Sequence, residues 1–445
     1  MQITFFIKYF SKGDDRSIKI KKNVISMLFL KGGSILVGLM LVPLTIDYVD
    51  SERYGIWLTL SSMVAWIHFF DIGINNGLRN KLGQAFANED LILAKKYVST
   101  TYALMSLIFL PVMIVLLIVS QYISWNEVLK IASNNENILL AVNILVVYFC
   151  INFILSTVNV VMLADQRPAD ASLRQLIQQL VSLLVVYLMT ICTKGSLLNL
   201  CIGMCISPLI VLFAFNITLF NRRYRIIAPS FKNIDFNLTP ILMRQGIQFF
   251  IIQIAGVIQY QMINFLIIRN YGSSEVTAYN IAYRYFSVLM LIWGILTVPI
   301  WSAVTDAYTR KDYAWIRRII YRYVLILGLF YIGGFLMLGF SNFAYHIWIG
   351  DKVHVSLSLS VWVMLYNFMM MFCNIFVSIT NGCGKLKLQS YACLISPIIF
   401  LFCCYYLINI GLGPYSILIA AIICNLNGFV LAPIQCYKII NEKRC

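Results

Sequence analysis

Four ionisable residues lie inside apolar stretches of the sequence, where a charged group has little access to water. Lys31 and Arg284 each lie about eight residues into a predicted helix, and His68 and Asp71 share one face of another. A charge at the bilayer centre costs about 3 kcal/mol on insertion scales, so it usually faces a cavity or a partner. Buried cations suit a phosphate ligand, whereas a histidine and a carboxylate can exchange protons or hold a coupling ion.

Two further arginines extend this set of candidate anion ligands. Arg174 and Arg244 lie near the predicted cytoplasmic ends of their helices, where a long side chain can also snorkel to the interface. The alternative for the deeper charges is structural, because Lys31 and Asp71 could form an ion pair. Three roles therefore remain as alternatives for these residues: an anion site, a coupling-ion site and a fixed ion pair.

Polar side chains, most of them amides, recur at helical spacing on seven of the predicted helices. Such residues either bond between helices, at about 0.6 kcal/mol each, or line a hydrated interior. Their presence in both halves favours a shared, hydrated interior. The amide residues that would line it are Asn75, Asn152, Asn159, Gln178, Gln248, Gln259, Asn280, Asn374 and Asn381.

The elements that carry these residues are predicted to be transmembrane helices. Of the 445 residues, 60% are hydrophobic and 12% charged, and the mean hydropathy is +0.82, whereas soluble domains average about 25% charged residues. Apolar runs long enough to span a bilayer must be helical, because lipid satisfies no backbone hydrogen bonds. We predict an all-α membrane protein with about twelve spans: 23–47, 54–78, 98–120, 137–163, 171–192, 196–220, 241–268, 276–304, 323–349, 355–380, 389–410 and 413–436.

The distribution of cations predicts the orientation of these spans. Of the 34 Lys and Arg residues, 26 fall on the side shared by the two termini, five on the other side and three within spans. This asymmetry follows the positive-inside rule, so both termini are expected in the cytoplasm. The net charge of +16 is accordingly explained by the excess of Lys and Arg in cytoplasmic loops, and no nucleic acid partner is expected.

The two halves of the chain resemble each other. Three pairs of segments match at a shift close to half the chain length: Asp90 with Asp312 and NFILSTVN (152–159) with NIFVSITN (374–381) at 222, and YVDSE (48–52) with YGSSE (271–275) at 223. A repeat of six helices has both ends on one side, so the two copies share an orientation. We predict two pseudo-symmetric six-helix lobes, 1–220 and 241–445, joined by a basic cytoplasmic linker, 221–240.

Metal and nucleotide cofactors are not expected. The 12 cysteines lie mostly in apolar runs without a metal-type spacing, and there are only three histidines. No Walker A motif occurs, which argues against ATP as the direct energy source.

Four segments carry a resemblance to a known family: YGIWLTLSS (54–62), FFDIGINNGLRNKL (69–82), VPL (42–44) and AYNIAYRYFSV (278–288). These segments resemble the Wzx-type polysaccharide (O-antigen) flippases of the multidrug/oligosaccharidyl-lipid/polysaccharide (MOP) exporter superfamily. The resemblance covers nearly the whole chain, and the first two segments are its distinctive part.

The resemblance implies two six-helix lobes around a central cavity in the bacterial inner membrane. It also implies transport of an undecaprenyl-pyrophosphate-linked oligosaccharide from the cytoplasmic to the periplasmic leaflet, beside a polysaccharide polymerase and its chain-length machinery. The resemblance makes the amide residues of the predicted interior candidate glycan contacts. The sequence leaves open which glycan is carried and what drives its transport.

There are three alternatives to the transport of a lipid-linked oligosaccharide. A multidrug exporter shares the fold but should carry mainly acidic groups in its interior. A polymerase or ligase for lipid-linked oligosaccharides usually needs a large periplasmic loop, and the longest predicted external loop, about 121–136, is small. A membrane scaffold would leave the deep charges unexplained. A transporter without enzymatic activity is therefore predicted.

Overall fold

The computed structural model describes residues 14–67, 73–125, 137–350 and 353–441, and in these residues the chain is helical without strands. Eleven of the described helical segments are long and apolar enough to cross a membrane. The predicted all-α, multi-pass architecture is thus confirmed. The chain divides into two compact units, Met1–Gly246 (unit 1) and Ile247–Cys445 (unit 2).

Unit 1 begins with α1 and continues to the first turns of α9. Helix α1 packs along α7, α8 packs between α7 and α5, and α3 packs on α4 and α6. Its helices are α1 (Asp15–Val49), α2 (Ser51–Ile67), α3 (Ile74–Ala87), α4 (Leu91–Gln121), α5 (Ile138–Leu155), α6 (Thr157–Ala164), α7 (Pro168–Cys192) and α8 (Leu197–Asn221).

Unit 2 is organised around α13, which packs on α10, α11 and α15. The remaining helices of the chain are α9 (Thr239–Tyr271), α10 (Ser273–Thr309), α11 (Tyr313–Gly339), α12 (Ser341–Ile349), α13 (Leu357–Cys383), α14 (Lys387–Asn409), α15 (Ser416–Cys424) and α16 (Ala432–Asn441). A π-helical segment, Asn427–Leu431, lies between α15 and α16.

The predicted second span, 54–78, does not form one described helix. Helix α2 covers its first part, and residues 68–72 lie outside the described part of the chain. Gly73 adopts a left-handed conformation with φ 66° and starts the separate helix α3. Its neighbour Gly77 gives α3 a close approach to the backbone, since an added Cβ would lie 2.7 Å from the Leu242 carbonyl oxygen.

The repeat is visible in the backbone where α3 meets α4 and where α10 meets α11. Glu89 and Lys311 have φ angles of 60° and 61°, both left-handed. The next residue in each half is the N-cap: Asp90 accepts a hydrogen bond from the Leu93 amide, and Asp312 accepts one from the amide of Trp315. The same turn thus occurs twice at a shift of 222.

A second junction gives the same shift and corrects one of the predicted matches. Asp50, after α1, has φ 77° and ψ 168°, and Gly272, after α9, has φ 90° and ψ 174°. These residues are also 222 apart, so the shift of 223 predicted for YVDSE and YGSSE is wrong by one. Non-glycine residues pay about 1–3 kcal/mol in such conformations. Asp50 partly offsets this cost because its carboxylate accepts the Arg53 amide at 3.0 Å.

A third junction differs in length between the halves. Gln166 follows α6 with φ 56°, and Gly384 follows α13 with φ 68°. Each donates its amide to the carbonyl three residues earlier, so these turns correspond at a shift of 218. Measured from the turns at the ends of their helices, the matching segments 152–159 and 374–381 therefore lie at positions that differ by four residues. Since an α-helix has 3.6 residues per turn, this displacement largely preserves the helix face.

The segment between α8 and α9 is fastened to one end of unit 1. Asp235 pairs with Lys96 at 3.2 Å, and its amide donates to the Thr100 hydroxyl at 3.0 Å. The hydrogen bond from Lys96 lowers the pKa of Asp235. Arg223 pairs with Asp165 at 3.0 Å. These contacts gather several basic segments at one end of unit 1, as expected for segments on one side of a membrane.

The two repeated aspartate caps make a direct prediction. Asp90→Ala and Asp312→Ala should each lower the free energy of unfolding by about 1 kcal/mol, because each leaves a helix N-terminal amide without its acceptor. Asp90→Asn and Asp312→Asn are the matched controls, since asparagine caps about as well. Thermal unfolding of the purified protein in detergent measures the difference. Equal stability of the Ala and Asn variants would show that these caps contribute nothing.

Candidate functional site

Two of the predicted cations come together inside unit 1. Helix α1 carries Lys31, whose ammonium donates to the Gln175 side-chain oxygen at 2.6 Å. On α7, the Arg174 guanidinium donates to the Gln178 side-chain oxygen, also at 2.6 Å. The two helices approach each other beside these residues, where the Cβ position of Gly33 faces the Leu176 side chain at 3.4 Å. We call Lys31 and Arg174 the cation pair.

The partners of the cation pair are neutral. Glutamine oxygens satisfy hydrogen bonds without cancelling charge, and the two cations repel each other electrostatically. Within the described part of the chain, neither cation forms an ion pair, and Arg174 Nε is buried without a hydrogen-bond partner. Both residues lie within predicted membrane spans. The arrangement therefore keeps uncompensated positive charge where solvation is poor, and it favours an anionic ligand.

Unit 2 presents a second polar surface, formed by α9 and α10. Tyr260 and Asn264 face it from α9, and Asn280, Tyr283 and Arg284 face it from α10. The amide of Asn280 donates to the Asn264 side-chain oxygen at 3.0 Å, and the rings of Tyr260 and Tyr283 are 5.8 Å apart. The Arg284 side chain is exposed. We call these five residues the tyrosine–amide face.

Two more tyrosines support this face from inside unit 2. Tyr279 stacks obliquely on Tyr283 at 5.8 Å and is 1% exposed. Tyr366 of α13 is buried beside them. Asn280 and Arg284 are residues predicted from the sequence, whereas the tyrosines of this face are not among the predicted site residues. The spacing of Tyr279 and Tyr283 indicates a shared face, but only the packing of α9 on α10 adds Tyr260.

The other glutamine and arginine candidates are dispersed along α9. Arg244 is exposed, and Gln248 is half-buried. Gln259 is buried, and its Nε2 lacks a hydrogen-bond partner within the described residues. Gln259 lines a cavity of about 200 Å³ in unit 2, beside the π-helical segment, with Asn425 and Gln435.

The predicted asparagines differ in how deeply they are buried. Asn75 and Asn152 are half-buried, and Asn381 is buried. The side-chain oxygens of Asn159 and Asn374 are buried without a hydrogen-bond partner in the described part of each unit.

Two predictions on the ionisable candidates stay untested. His68 and Asp71 lie outside the described residues, so their role as coupling-ion ligands stays a prediction. Lys31 belongs to unit 1 and Arg284 to unit 2. The expectation that these two cations act on one ligand likewise stays a prediction.

Solved structures of transporters share this fold. An outward-facing multidrug resistance MATE family transporter of the MOP superfamily is 13% identical, with a TM-score of 0.79 over 98% of both chains. A MATE transporter from Vibrio cholerae is 12% identical, with a TM-score of 0.74 over 96% of this chain and 99% of its own.

A MOP superfamily transporter from Pyrococcus furiosus, for which a binding pocket of reverse polarity suggests a different function, is 12% identical. Its TM-score is 0.73 over 96% of this chain and 97% of its own. No family model matches the chain, and no curated protein matches it. At these identities the comparisons establish the fold, which is that of MOP superfamily transporters.

The environment of Lys31 predicts how its removal affects stability. Lys31→Met should leave thermal stability unchanged or raise it by up to about 1 kcal/mol, because it removes a poorly solvated charge that Arg174 repels. If Lys31 instead formed a structural ion pair with Asp71, the same change would cost about 3–5 kcal/mol. Lys22→Met, at an exposed position on the same helix, controls for the loss of one lysine.

Proposed function

We propose that this protein is a transporter that moves a polyprenyl-pyrophosphate-linked oligosaccharide from the cytoplasmic to the periplasmic leaflet by alternating access. The observation that carries the proposal is the cation pair, in which Lys31 and Arg174 are held by glutamine oxygens within membrane-spanning helices. We also propose that the protein lies in the bacterial inner membrane and works beside a polysaccharide polymerase.

A pyrophosphate supplies what the cation pair lacks. It brings the missing negative charge and several acceptor oxygens to Arg174 Nε and to the remaining ammonium protons of Lys31. A planar guanidinium can bind two phosphate oxygens at once, whereas an ammonium acts as a point charge. Each charge-assisted contact contributes about 1.5–3 kcal/mol. In the proposed mechanism, the pair holds the pyrophosphate while the lipid chain stays in the bilayer.

The tyrosine–amide face is suited to the glycan. Tyrosine rings present flat apolar surfaces to sugar rings, and their hydroxyls can hydrogen-bond to sugars. Asn280 donates to Asn264, which leaves the other amide groups of this pair for sugar hydroxyls. Arg284, adjacent to Tyr283, is a further pyrophosphate ligand in the proposal. Arg244 is a weaker ligand of the same group.

Multidrug export is the second candidate, because a multidrug resistance transporter shares the fold. The polarity of the binding pocket varies among proteins of this fold, as the Pyrococcus furiosus transporter indicates. Drug cations would be repelled by the cation pair, and this repulsion favours the lipid-linked anion. A drug exporter would depend on acidic groups such as Asp71.

Binding of undecaprenyl pyrophosphate tests the anion site. Arg174→Ala and Lys31→Ala should each weaken its binding about 10- to 100-fold, since each removes one charge-assisted contact. Gln175→Glu should weaken binding as well, because a carboxylate of the same shape then neutralises Lys31. Gln121→Glu, exposed at the end of α4, adds the same charge outside the site.

Microscale thermophoresis in detergent gives these dissociation constants, with undecaprenol as the uncharged comparison lipid. Unchanged affinity in Gln175→Glu, or equal affinity of the wild type for both lipids, would overturn the assignment of the anion site. Tighter binding of a drug cation by Gln175→Glu than by Gln121→Glu would favour the exporter.

The role of Arg284 is tested in cells. Arg284→Ala should abolish outward transport while the protein still inserts, and Arg284→Lys should restore transport only in part, because an ammonium cannot bind bidentately. The measurement is the amount of lipid-linked glycan in each leaflet. Wild-type outer-leaflet levels in Arg284→Ala would leave Arg284 without a role in binding.

A further inference from the structure

A groove opens between α11 and α16 in unit 2. Its volume is about 960 Å³, and Ile320, Val324, Phe376, Ile434 and Ile440 form most of its apolar wall. Ile434 is 47% exposed, so the groove is accessible from outside the unit. Both helices belong to predicted membrane spans, which places an apolar recess along the lipid-spanning part of the chain.

One end of the groove is cationic and aromatic. Arg317 lines it and donates to the side-chain oxygen of Asn441 at 3.4 Å. Lys438 is exposed next to the lining residue Tyr437, and Tyr321 is also exposed. Tyrosines are enriched at the level of lipid head groups, where arginine and lysine meet phosphates.

The apolar wall continues from this end into the membrane span. Val324 lies seven residues beyond Arg317 on α11, or about 10 Å along the helix axis. The groove thus passes from a charged, amphipathic end to a purely apolar wall over a distance that suits a head group followed by an acyl chain.

Unit 1 has a groove at the equivalent place. Its volume is about 640 Å³, and it lies between α4 and the segment after α8, with Ser99, Tyr102, Phe231 and Ile234 among its lining residues. The repeat shift of 222 takes Ser99 to Tyr321 and Tyr102 to Val324, which line the groove of unit 2.

Among the described residues, the lining of the groove in unit 1 is uncharged, but two lysines lie close to lining residues in the sequence. Arg317 corresponds to Lys95 at the same shift, and the exposed Lys232 follows Phe231, whose side chain is 94% exposed. The two halves therefore retain a groove, an aromatic residue at its mouth and nearby cations, although different segments close it: α16 in unit 2 and the fastened segment after α8 in unit 1.

We propose that each of these grooves binds one phospholipid with an anionic head group. In unit 2 the phosphate lies at Arg317 and Lys438, and in unit 1 at Lys95 and Lys232, with an acyl chain along the apolar wall. A second copy of this chain is a poorer occupant, because it brings its own net charge of +16 to a cationic site. The proposal is independent of the transported substrate.

Native mass spectrometry of the full chain in detergent tests this proposal. Phosphatidylglycerol and phosphatidylcholine with identical acyl chains are the probes. The wild type should retain two molecules of phosphatidylglycerol, at least tenfold more tightly than phosphatidylcholine. Arg317→Ala/Lys438→Ala should retain one, and Arg317→Lys should retain both. Ile434→Trp, which fills the groove of unit 2, should lose one lipid whatever its head group.

Lys385→Ala/Lys387→Ala is the charge-matched control, since both lysines are exposed and neither lines a groove. Thermal unfolding of each variant checks that it is folded. Equal binding of the two lipids would overturn the proposal, as would equal losses in the control and in Arg317→Ala/Lys438→Ala. Competition by free glycerol phosphate at the same concentration as phosphatidylglycerol would also overturn it, because the acyl groove would then contribute nothing.

Discussion

A cation placed in a membrane span must be satisfied without being neutralised if it is to bind an anion. The contact between Lys31 and Gln175 meets both conditions, because an amide oxygen accepts a proton but carries no net charge. Arg174 and Gln178 repeat the arrangement one turn of α7 away. A carboxylate at either glutamine position would stabilise the fold and remove the function that we propose. The helices around this pair are accordingly arranged for binding at some expense of stability.

Much of the architecture follows from apolar periodicity and charge asymmetry. Eleven long spans were predictable because lipid enforces helices on any apolar run of sufficient length. The start of a separate helix at Gly73 was not predictable, because Gly73 and Gly77 look in the sequence like ordinary small residues of an apolar stretch. Their effects depend on a left-handed turn and on the nearby carbonyl of Leu242.

The candidate site was predictable residue by residue but not as a grouping. Charges within apolar runs could be identified because desolvation makes them costly in a membrane, although Arg244 and Arg284 are exposed in the structure. Their partners could not, because Gln175 meets Lys31 only through the crossing of α1 and α7. Tyr260 and Tyr283 were missed for a related reason: a tyrosine in an apolar helix is common at membrane interfaces, and only its neighbours distinguish a binding surface.

The third junction between the halves has an evolutionary consequence. From Asp90 to Gln166 the chain takes four residues more than from Asp312 to Gly384, although the other two junctions keep a shift of 222. If the halves arose by duplication of one gene segment, an insertion or deletion of four codons survived between these points. Helix α4 has 31 residues and its counterpart α11 has 27, whereas the segments that end at the two turns, Ile138–Ala164 and Leu357–Cys383, have 27 residues each. The extra length therefore falls in α4 and not in the helix that leads to the turn, so the packed helix kept its length while the chain before it changed, and homologous chains should vary in length where α4 ends.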